Sequence, residues 1–445
     1  MIEIFAISNV LLQDFLFNKS FQKNGNDLAL LLHNIQFLVH TEDAVKERYC
    51  GTEMGKLKNI EHAYLLIDKD KIADFGTFST ARLDELKVQF PGLETIDVGG
   101  GSVFPAWCDA HTHIVYAGSR EKEFVDRING LSYQEIAARG GGILNSAARL
   151  RQAGETELLE SATARLNEVI RMGTGAIEIK SGYGLDEESE LKMLRVIREL
   201  DRISAVTIKA TFLGAHAVPT EYKNDKAGYI RLLTDRLLPR IAEEQLADYC
   251  DVFCENGYFT KTETLQILET AQKLGLRTKV HAEQLSHSGG IEAGVATNAI
   301  SVDHLEYISD NDIELLRNSG TMPVFLPGAQ LFLGLPSPPA RKMIEAGLPV
   351  AICSDFNPGS CPSGNMNQMV SLACILYKMT PAEAIMAATT NSAYAMELSN
   401  NLGSIAVGKK ANLFITAPLP SPDYLPYYFG VNPVKRMMLS GVFIN

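Results

Sequence analysis

The chain has 445 residues, of which 46% are hydrophobic and 21% are charged, so it can bury a large core and need not be disordered. Its formal net charge of −12 disfavours nucleic acid or an anionic lipid surface as a partner. There is neither a basic leader nor a run of the roughly 20 apolar residues that a membrane helix needs, so we expect a cytoplasmic protein without a membrane partner.

Both ends of the chain carry short apolar strands separated by polar turns. Residues 1–27 are predicted to form an N-terminal extension, either an extra helix or an arm. Strand-like runs follow, for example at 64–70, and the C-terminus repeats the pattern at 411–415. We therefore predict a small β-sandwich accessory domain built from both termini, comprising residues 28–102 plus 409–445.

The middle of the chain, residues 103–408, alternates apolar strands with longer helical patterns. Eight strand candidates occur, at 103–110, 174–180, 206–213, 250–255, 277–282, 299–304, 321–326 and 348–354. Alternating strands and helices imply parallel strands, and eight of them in about 300 residues predict an α/β fold, the (β/α)8 TIM barrel. A doubly wound open sheet is the alternative, but no Gly-x-Gly-x-x-Gly turn follows the first strand.

In such a barrel, the active-site residues lie at the C-terminal ends of the strands. His111 and His113 close the first strand, and side chains two residues apart in a strand project to the same side. His281 ends the fifth strand and Asp355 follows the eighth, which completes a set of three nitrogens and one oxygen for zinc or iron. Such a metal lowers the pKa of a bound water toward ~7, and Asp355 can bind the metal and accept the proton. The pattern therefore predicts a metal-dependent hydrolase.

Two further histidines follow strands of the predicted barrel. His304 comes after the sixth strand and is either a further ligand, a general acid or base near the metal, or a buried histidine bonded to Asp303 or Glu306. His216 comes after the third strand, one strand removed from the ligands, and is expected to contact substrate rather than metal.

A lysine also ends one of the strands. Lys180 leaves open a two-metal site bridged by a lysine carbamate. The set for one metal is complete without it, however, and a pair with a carboxylate such as Glu178 is the simpler interpretation.

Five strings of this chain resemble the imidazolonepropionases, a family of metal-dependent amidohydrolases in histidine breakdown. The similarity extends from about residue 28 to the C-terminus. It is carried by DAHTHIVYAGSR at 109–120, IKSGYG at 179–184, FLGAH at 212–216, HAEQL at 281–285 and SDFNPGS at 354–360. The resemblance implies hydrolysis of the ring C–N bond of 4-imidazolone-5-propanoate to N-formimidoyl-L-glutamate. It also implies one Zn²⁺ or Fe³⁺ per subunit and a barrel joined to a small β domain.

The same resemblance implies roles for individual residues. The metal ligands would be His111, His113, His281 and Asp355. The contacts to substrate or product would be Arg120, Tyr183, His216, Gln284, Asn357, Gly359 and Ser360. Asp355 and His304 would be catalytic, and which of them protonates the leaving nitrogen stays open. Arg120 would supply the positively charged guanidinium group that binds a small anionic substrate on an otherwise acidic protein.

Two features depart from the family pattern, and two other functions compete. The extension at 1–27 has no expected counterpart, and Gln284 stands where some relatives have a glutamate that can shuttle a proton. A purine or pyrimidine deaminase of the same superfamily needs His-x-x-Glu, whereas this chain has HAEQ at 281–284. A barrel that is a non-catalytic scaffold would lose metal ligands, and this chain keeps them all. The sequence is compatible with a homodimer, and it does not choose between zinc and iron.

Overall fold

A computed structural model of the protein describes residues 28–131, 135, 139 and 141–444, and the predicted extension at 1–27 lies outside them. The described strands form two sheets of eight strands each. The strands are β1 (Leu30–Val39), β2 (Asn59–Asp68), β3 (Lys71–Thr77), β4 (Glu94–Asp97), β5 (Val103–Pro105), β6 (Trp107–Thr112), β7 (Thr174–Lys180), β8 (Thr207–Ala215), β9 (Tyr249–Cys254), β10 (Arg277–Ala282), β11 (Ser301–His304), β12 (Met322–Phe325), β13 (Ala351–Ile352), β14 (Leu413–Thr416), β15 (Val434–Leu439) and β16 (Val442–Ile444).

Most helices lie between or after the strands of the second sheet, whereas Thr80–Gln89 and Tyr424–Tyr427 lie between strands of the first sheet. Among the described residues they are α1 (Thr80–Gln89), α2 (Glu121–Ile128), α3 (Ile143–Gln152), α4 (Glu155–Arg171), α5 (Glu187–Ile203), α6 (Lys226–Arg231), α7 (Leu238–Glu243), α8 (Lys261–Lys273), α9 (Gly290–Ala296), α10 (Asp310–Arg317), α11 (Pro327–Leu333), α12 (Ala340–Glu345), α13 (Met366–Tyr377), α14 (Pro381–Met386), α15 (Ser392–Tyr394) and α16 (Tyr424–Tyr427). Short 3₁₀ helices lie at Gly51–Gly55 and Thr220–Tyr222, and π-helical turns at Leu232–Leu237 and Ala387–Asn391.

The second sheet is the predicted parallel barrel. Its strands run β6 to β13 in chain order, and each strand is parallel to its neighbours. Strands such as β7 and β9 are buried along their whole length, as expected where helices cover one face of a sheet and its other face fills the barrel. The TIM-barrel prediction is therefore confirmed.

The barrel closes where the functional residues were predicted. β13 has only two residues, and the segment after it completes the closure against β6. The amide of Asp355 donates to the carbonyl of His111 at 3.0 Å, and the amide of His113 donates to the carbonyl of Phe356 at 2.9 Å. Two predicted ligands are thus linked through the backbone at the seam.

The first sheet joins strands from both ends of the chain. Its order is β16-β15-β14-β5-β1-β2-β3, with β4 paired to β1. The strand expected at 103–110 is in fact two strands, because β5 pairs with β14 and β1 of this sheet whereas β6 begins the barrel. The domain limits at 28–102 plus 409–445 and 103–408 stay predictions. Among the helices described, none has the length and apolar character of a membrane span.

Candidate active site

Three histidines from two barrel strands converge at one end of the barrel. His111 lies near the end of β6, His113 follows that strand, and His281 lies near the end of β10. All three are buried, and each offers a ring nitrogen within 4.8 Å of the others. Residues separated by about 170 positions in the chain are thus brought together, because parallel strands deliver their C-terminal ends to the same rim.

The hydrogen bonds of these rings leave nitrogens directed at a common point. Nδ1 of His111 donates to Oδ2 of Asp303 at 2.6 Å, so Nε2 of His111 carries a lone pair. This Nε2 lies 3.3 Å from Nε2 of His113. Since zinc–nitrogen bonds are about 2.0–2.1 Å, two nitrogens on one tetrahedral zinc lie roughly 3.3 Å apart. The donor set therefore fits a single transition-metal ion.

Asp355 brings a carboxylate to the same point. Its Oδ1 lies 3.5 Å from Nε2 of His111 and 3.6 Å from Nε2 of His113, while Oδ2 accepts a hydrogen bond from the Ser360 hydroxyl at 2.8 Å. Asp355 has a φ of 55° and His304 a φ of 88°, conformations that cost non-glycine residues about 1–3 kcal/mol each. Backbone strain of this kind concentrates at functional sites.

Burial keeps His111 and His113 uncharged. Burial, with a smaller contribution from the charge of Lys180, holds the pKa of His111 well below its ordinary value. Burial also holds the pKa of His113 well below its ordinary value, with neighbouring His216 adding to the effect. Burial raises the pKa of Asp355. Neutral imidazoles are the form that binds a metal.

His304 lies beside the three histidines in a different electrostatic setting. Its ring centroid is 5.3 Å from that of His281 and 5.4 Å from that of His111. Burial alone would lower the pKa of His304, but Glu306, with an oxygen 3.8 Å from Nδ1, raises it above the ordinary value. Asp303, expected as a possible partner of His304, is instead hydrogen-bonded to His111.

A cavity of about 200 Å³ opens above these residues and gathers the remaining predicted site residues. Apart from His111, which is fully buried, every predicted site residue lines it: His113, Arg120, Tyr183, His216, His281, Gln284, His304, Asp355, Asn357, Gly359 and Ser360. The structure therefore brings these predicted residues together around one cavity.

Arg120 is the predicted cation of this cavity. It lies immediately before α2, and its Nε donates to the Ser146 hydroxyl at 2.8 Å. Its Nη2 is buried and has no hydrogen-bond partner among the residues that the structure describes. A buried guanidinium nitrogen is costly to leave unpaired, so this group is suited to an anionic ligand.

Tyr183 and His216 form one wall of the cavity. The Arg120 guanidinium lies 5.6 Å from the Tyr183 ring centroid, and the rings of Tyr183 and His216 are 5.4 Å apart. Burial lowers the pKa of His216 to about 3, so the ring is neutral. Its Nδ1 donates to the carbonyl of Gly182 at 2.9 Å, which leaves Nε2 as an acceptor.

The segment after β13 forms a tight turn at the cavity edge. Oδ1 of Asn357 accepts from the amides of Gly359 at 2.7 Å and Ser360 at 2.8 Å, and its Nδ2 donates to the Asp355 carbonyl at 2.7 Å. A side chain at Gly359 would lie 2.3 Å from Nη1 of Arg120. Only glycine therefore allows the turn to approach the guanidinium so closely.

Several lining or supporting residues were not predicted from the sequence. Arg127 lines the cavity with Arg120 and donates to the Gly359 carbonyl at 3.1 Å. The seven-residue spacing of these two arginines, about two helical turns, is a signal that could have revealed it. Asp303 and Asp251, which contact the Nδ1 atoms of His111 and His281, carry no such signal because their partners are distant in the chain.

Comparison with known proteins finds a matching family and close relatives in sequence. Residues 102–444 match the model described as "Amidohydrolase family". The imidazolonepropionase of Flavobacterium johnsoniae is 54% identical over 417 residues, covering 94% of this chain and all of that protein. The imidazolonepropionase of Christiangramia forsetii is 52% identical with the same coverage.

Solved structures support the fold at lower identity. A mutant atrazine chlorohydrolase from Arthrobacter aurescens TC1, complexed with zinc and atraton, superposes with a TM-score of 0.67. It is 14% identical, and the match covers 93% of this chain and 94% of that one. The likeness shows a shared architecture of barrel and accessory sheet.

Proposed function

Because this chain belongs to the imidazolonepropionases within the amidohydrolase family, we propose that it opens the ring of 4-imidazolone-5-propanoate by hydrolysing a C–N bond. The product is N-formimidoyl-L-glutamate, and the reaction belongs to histidine degradation. The observation that carries the proposal is that a metal-type donor set, which reaches the cavity through His113 and His281, and an Arg120 guanidinium nitrogen without a hydrogen-bond partner among the described residues lie at one cavity. The donor set would hold the metal that activates the attacking water, and the guanidinium would hold the carboxylate arm of the substrate.

The four residues that would hold one Zn²⁺ or Fe³⁺ per subunit are His111, His113, His281 and Asp355. A metal bound there would supply a Lewis acid that makes a water molecule acidic enough to attack the ring carbonyl carbon at neutral pH. Oδ1 of Asp355 faces the histidine nitrogens, so Oδ2, held by Ser360, is the oxygen left to accept the proton of that water. Asp355 would then return this proton to the leaving ring nitrogen.

His304 would stabilise the negative charge that develops on the carbonyl oxygen. Its raised pKa keeps the imidazolium available near neutrality, and it lies beside His111 and His281, where that charge develops. A preorganised cation in a dry site stabilises a transition state more than it would in water.

The remaining residues would orient the substrate. Arg120 would bind the propionate through Nη2, and Nε2 of His216 would accept a hydrogen bond from a ring N–H. Gln284 would hold the polar ring edge with its amide, while Tyr183 would contact both substrate and product. Asn357, Gly359 and Ser360 would line the position of the open-chain product. Orientation of this kind supplies part of the rate by holding the reacting groups in place.

Incubation of the purified protein with freshly generated imidazolonepropionate tests the proposal. We expect loss of the ultraviolet absorbance of the substrate and about one zinc or iron per chain by elemental analysis. His113→Ala should remove both the metal and the hydrolysis. Full turnover in that variant, or release of ammonia from a purine or pyrimidine in place of ring opening, would contradict the proposed site.

A further inference from the structure

A group of buried charges lies directly behind the three histidines. Five fully buried side chains from four barrel strands, β7, β9, β10 and β11, form it: Glu178, Lys180, Asp251, Lys279 and Asp303. Taken as ionised, two lysines and three carboxylates carry a net charge of −1. A buried group of charges is stable only when its members are paired, since an isolated charge in the interior costs several kcal/mol.

Lys180 is the centre of this group. Its Nζ lies 2.7 Å from Oε1 of Glu178, 2.8 Å from Oδ2 of Asp251 and 3.6 Å from Oδ2 of Asp303. The pair with Glu178 is the simpler interpretation anticipated from the sequence. Three carboxylates surround the Nζ, so the negative charge of a carbamate at this position would be repelled.

The same two aspartate oxygens also face the metal-site histidines. Oδ2 of Asp251 is 2.9 Å from Nδ1 of His281, and Oδ2 of Asp303 is 2.6 Å from Nδ1 of His111. Each aspartate therefore lies between the ammonium of Lys180 and one histidine ring. A carboxylate at Nδ1 fixes the tautomer and the direction of Nε2.

From this arrangement we infer that Lys180 is a positioning residue for the metal site, acting through Asp251 and Asp303 on two ligand histidines at once. The inference rests on the proposed metal-binding function. Lys180 contacts neither the cavity nor a ligand ring in this role. Its charge holds two like-charged carboxylates close together, and their oxygens then hold the rings of His281 and His111. Without the ammonium, the two anions would repel each other in a medium of low dielectric constant and the rings would lose their alignment.

The chain offers a matched control for this lysine. Lys279 is equally buried and also pairs with Glu178, but its other contact is the carbonyl of Ala110 at 3.2 Å. It makes no ion pair with Asp251 or Asp303 within the described structure. Lys180→Met and Lys279→Met therefore remove the same charge from the same environment and differ in the link to the histidines.

The experiment measures zinc affinity by competition with a chelator, and the absorption spectrum of the cobalt-loaded protein, for both variants and the unaltered chain. We expect Lys180→Met to weaken zinc binding about 10–100-fold, the usual effect of losing an outer partner of a metal ligand, and to change the cobalt spectrum. Lys279→Met should retain the affinity and spectrum of the unaltered protein.

A charge-balanced variant addresses the possibility that Lys180→Met fails to fold. Glu178→Gln/Lys180→Met removes one cation and one anion, so the group keeps its net charge of −1, and the same loss of zinc affinity is expected. Equal affinity and spectrum in the Lys180 and Lys279 variants would overturn the inference. An unaltered protein that binds no metal would instead overturn the proposed function, so the two failures are distinguishable.

Discussion

At the scale of the residue, the main feature is the Arg120 guanidinium in an acidic protein. The chain carries a net charge of −12, so an anionic substrate is not attracted by the molecule as a whole. Arg120 presents to the cavity a buried nitrogen that has no partner in the described part of the chain, and its Nε is fixed by Ser146. The positive charge of Arg120 therefore has to attract the substrate carboxylate, which the net negative charge of the whole protein repels.

Replacing this arginine should separate binding from chemistry. For Arg120→Ala we expect KM to rise roughly thirtyfold, equivalent to about 2 kcal/mol for a lost hydrogen-bonded ion pair, with a smaller effect on kcat. Steady-state kinetics with imidazolonepropionate measure both constants. Arg149→Ala is a suitable control, because Arg149 donates to the Ser119 carbonyl nearby and does not line the cavity. An unchanged KM would remove Arg120 from the binding site.

At the scale of the element, one glutamate organises the turn that follows β7. Glu190, fully buried in α5, accepts hydrogen bonds from the amides of Gly182 at 3.1 Å, Gly184 at 2.7 Å and Leu185 at 2.9 Å. The carbonyl of Gly182 in turn accepts from His216. A single carboxylate on a helix thus holds both Tyr183, which lies within the turn, and the ring of His216.

Glu190→Gln tests whether this turn positions the substrate. An amide has one acceptor oxygen and brings an N–H group toward backbone N–H groups, so the turn should loosen and kcat/KM should fall, by up to about a hundredfold. Glu187→Gln, at a partly exposed ion pair of the same helix, should leave the kinetics unchanged. A lower melting temperature with unaltered kinetics in the Glu190 variant would mean that the carboxylate stabilises the fold without positioning Tyr183.

At the scale of the whole molecule, a buried cluster of His40, Glu42 and Lys409 links the first sheet to the π-helical turn at Ala387–Asn391. His40, directly after β1, lies 3.1 Å from the Thr389 hydroxyl, and Glu42 has an oxygen 3.6 Å from the ammonium of Lys409. Burial alone would raise the pKa of Glu42, but His40 and Lys409 lower it to about 2. The cluster therefore favours the ionised carboxylate in the folded state.

This shift predicts a specific pH dependence of stability. The pKa of Glu42 in the folded protein lies below the ordinary 4.5. The stabilisation that the ionised Glu42 contributes is therefore fully present above pH 4.5 and is lost as the pH falls toward 2. It amounts to at most about 3 kcal/mol. Glu42→Gln should melt at a lower temperature than the unaltered protein at pH 7, and the gap should narrow below pH 4.5.

The melting temperature of each protein, measured from pH 7 to pH 3, checks this. Asp43→Asn provides the control, since Asp43 forms an exposed pair with Lys58 and such pairs contribute about 0–1 kcal/mol. A gap between Glu42→Gln and the unaltered protein that stays constant with pH would show that the ionised form of Glu42 has no special stabilising role.

The sequence by itself determined the barrel and the rim at which the candidate site residues lie. Strand β7 was predicted at its observed bounds, and so was β10, because a buried parallel strand is a local apolar run between helical patterns. His111, His281 and Asp355 could then be assigned to one rim, since parallel strands end on the same side. Local pattern and one rule of barrel geometry were enough for this part.

Tertiary structure alone decided how these side chains are held. The strand expected at 103–110 divides because β5 finds its partners in β1 and β14, residues far away in the chain. Asp303 bonds to His111 across 192 positions, and Lys180 reaches Asp251 across 71. Hydrogen bonds and ion pairs depend on distances between atoms in space. The order of residues contains no repeating pattern from which such distances can be predicted.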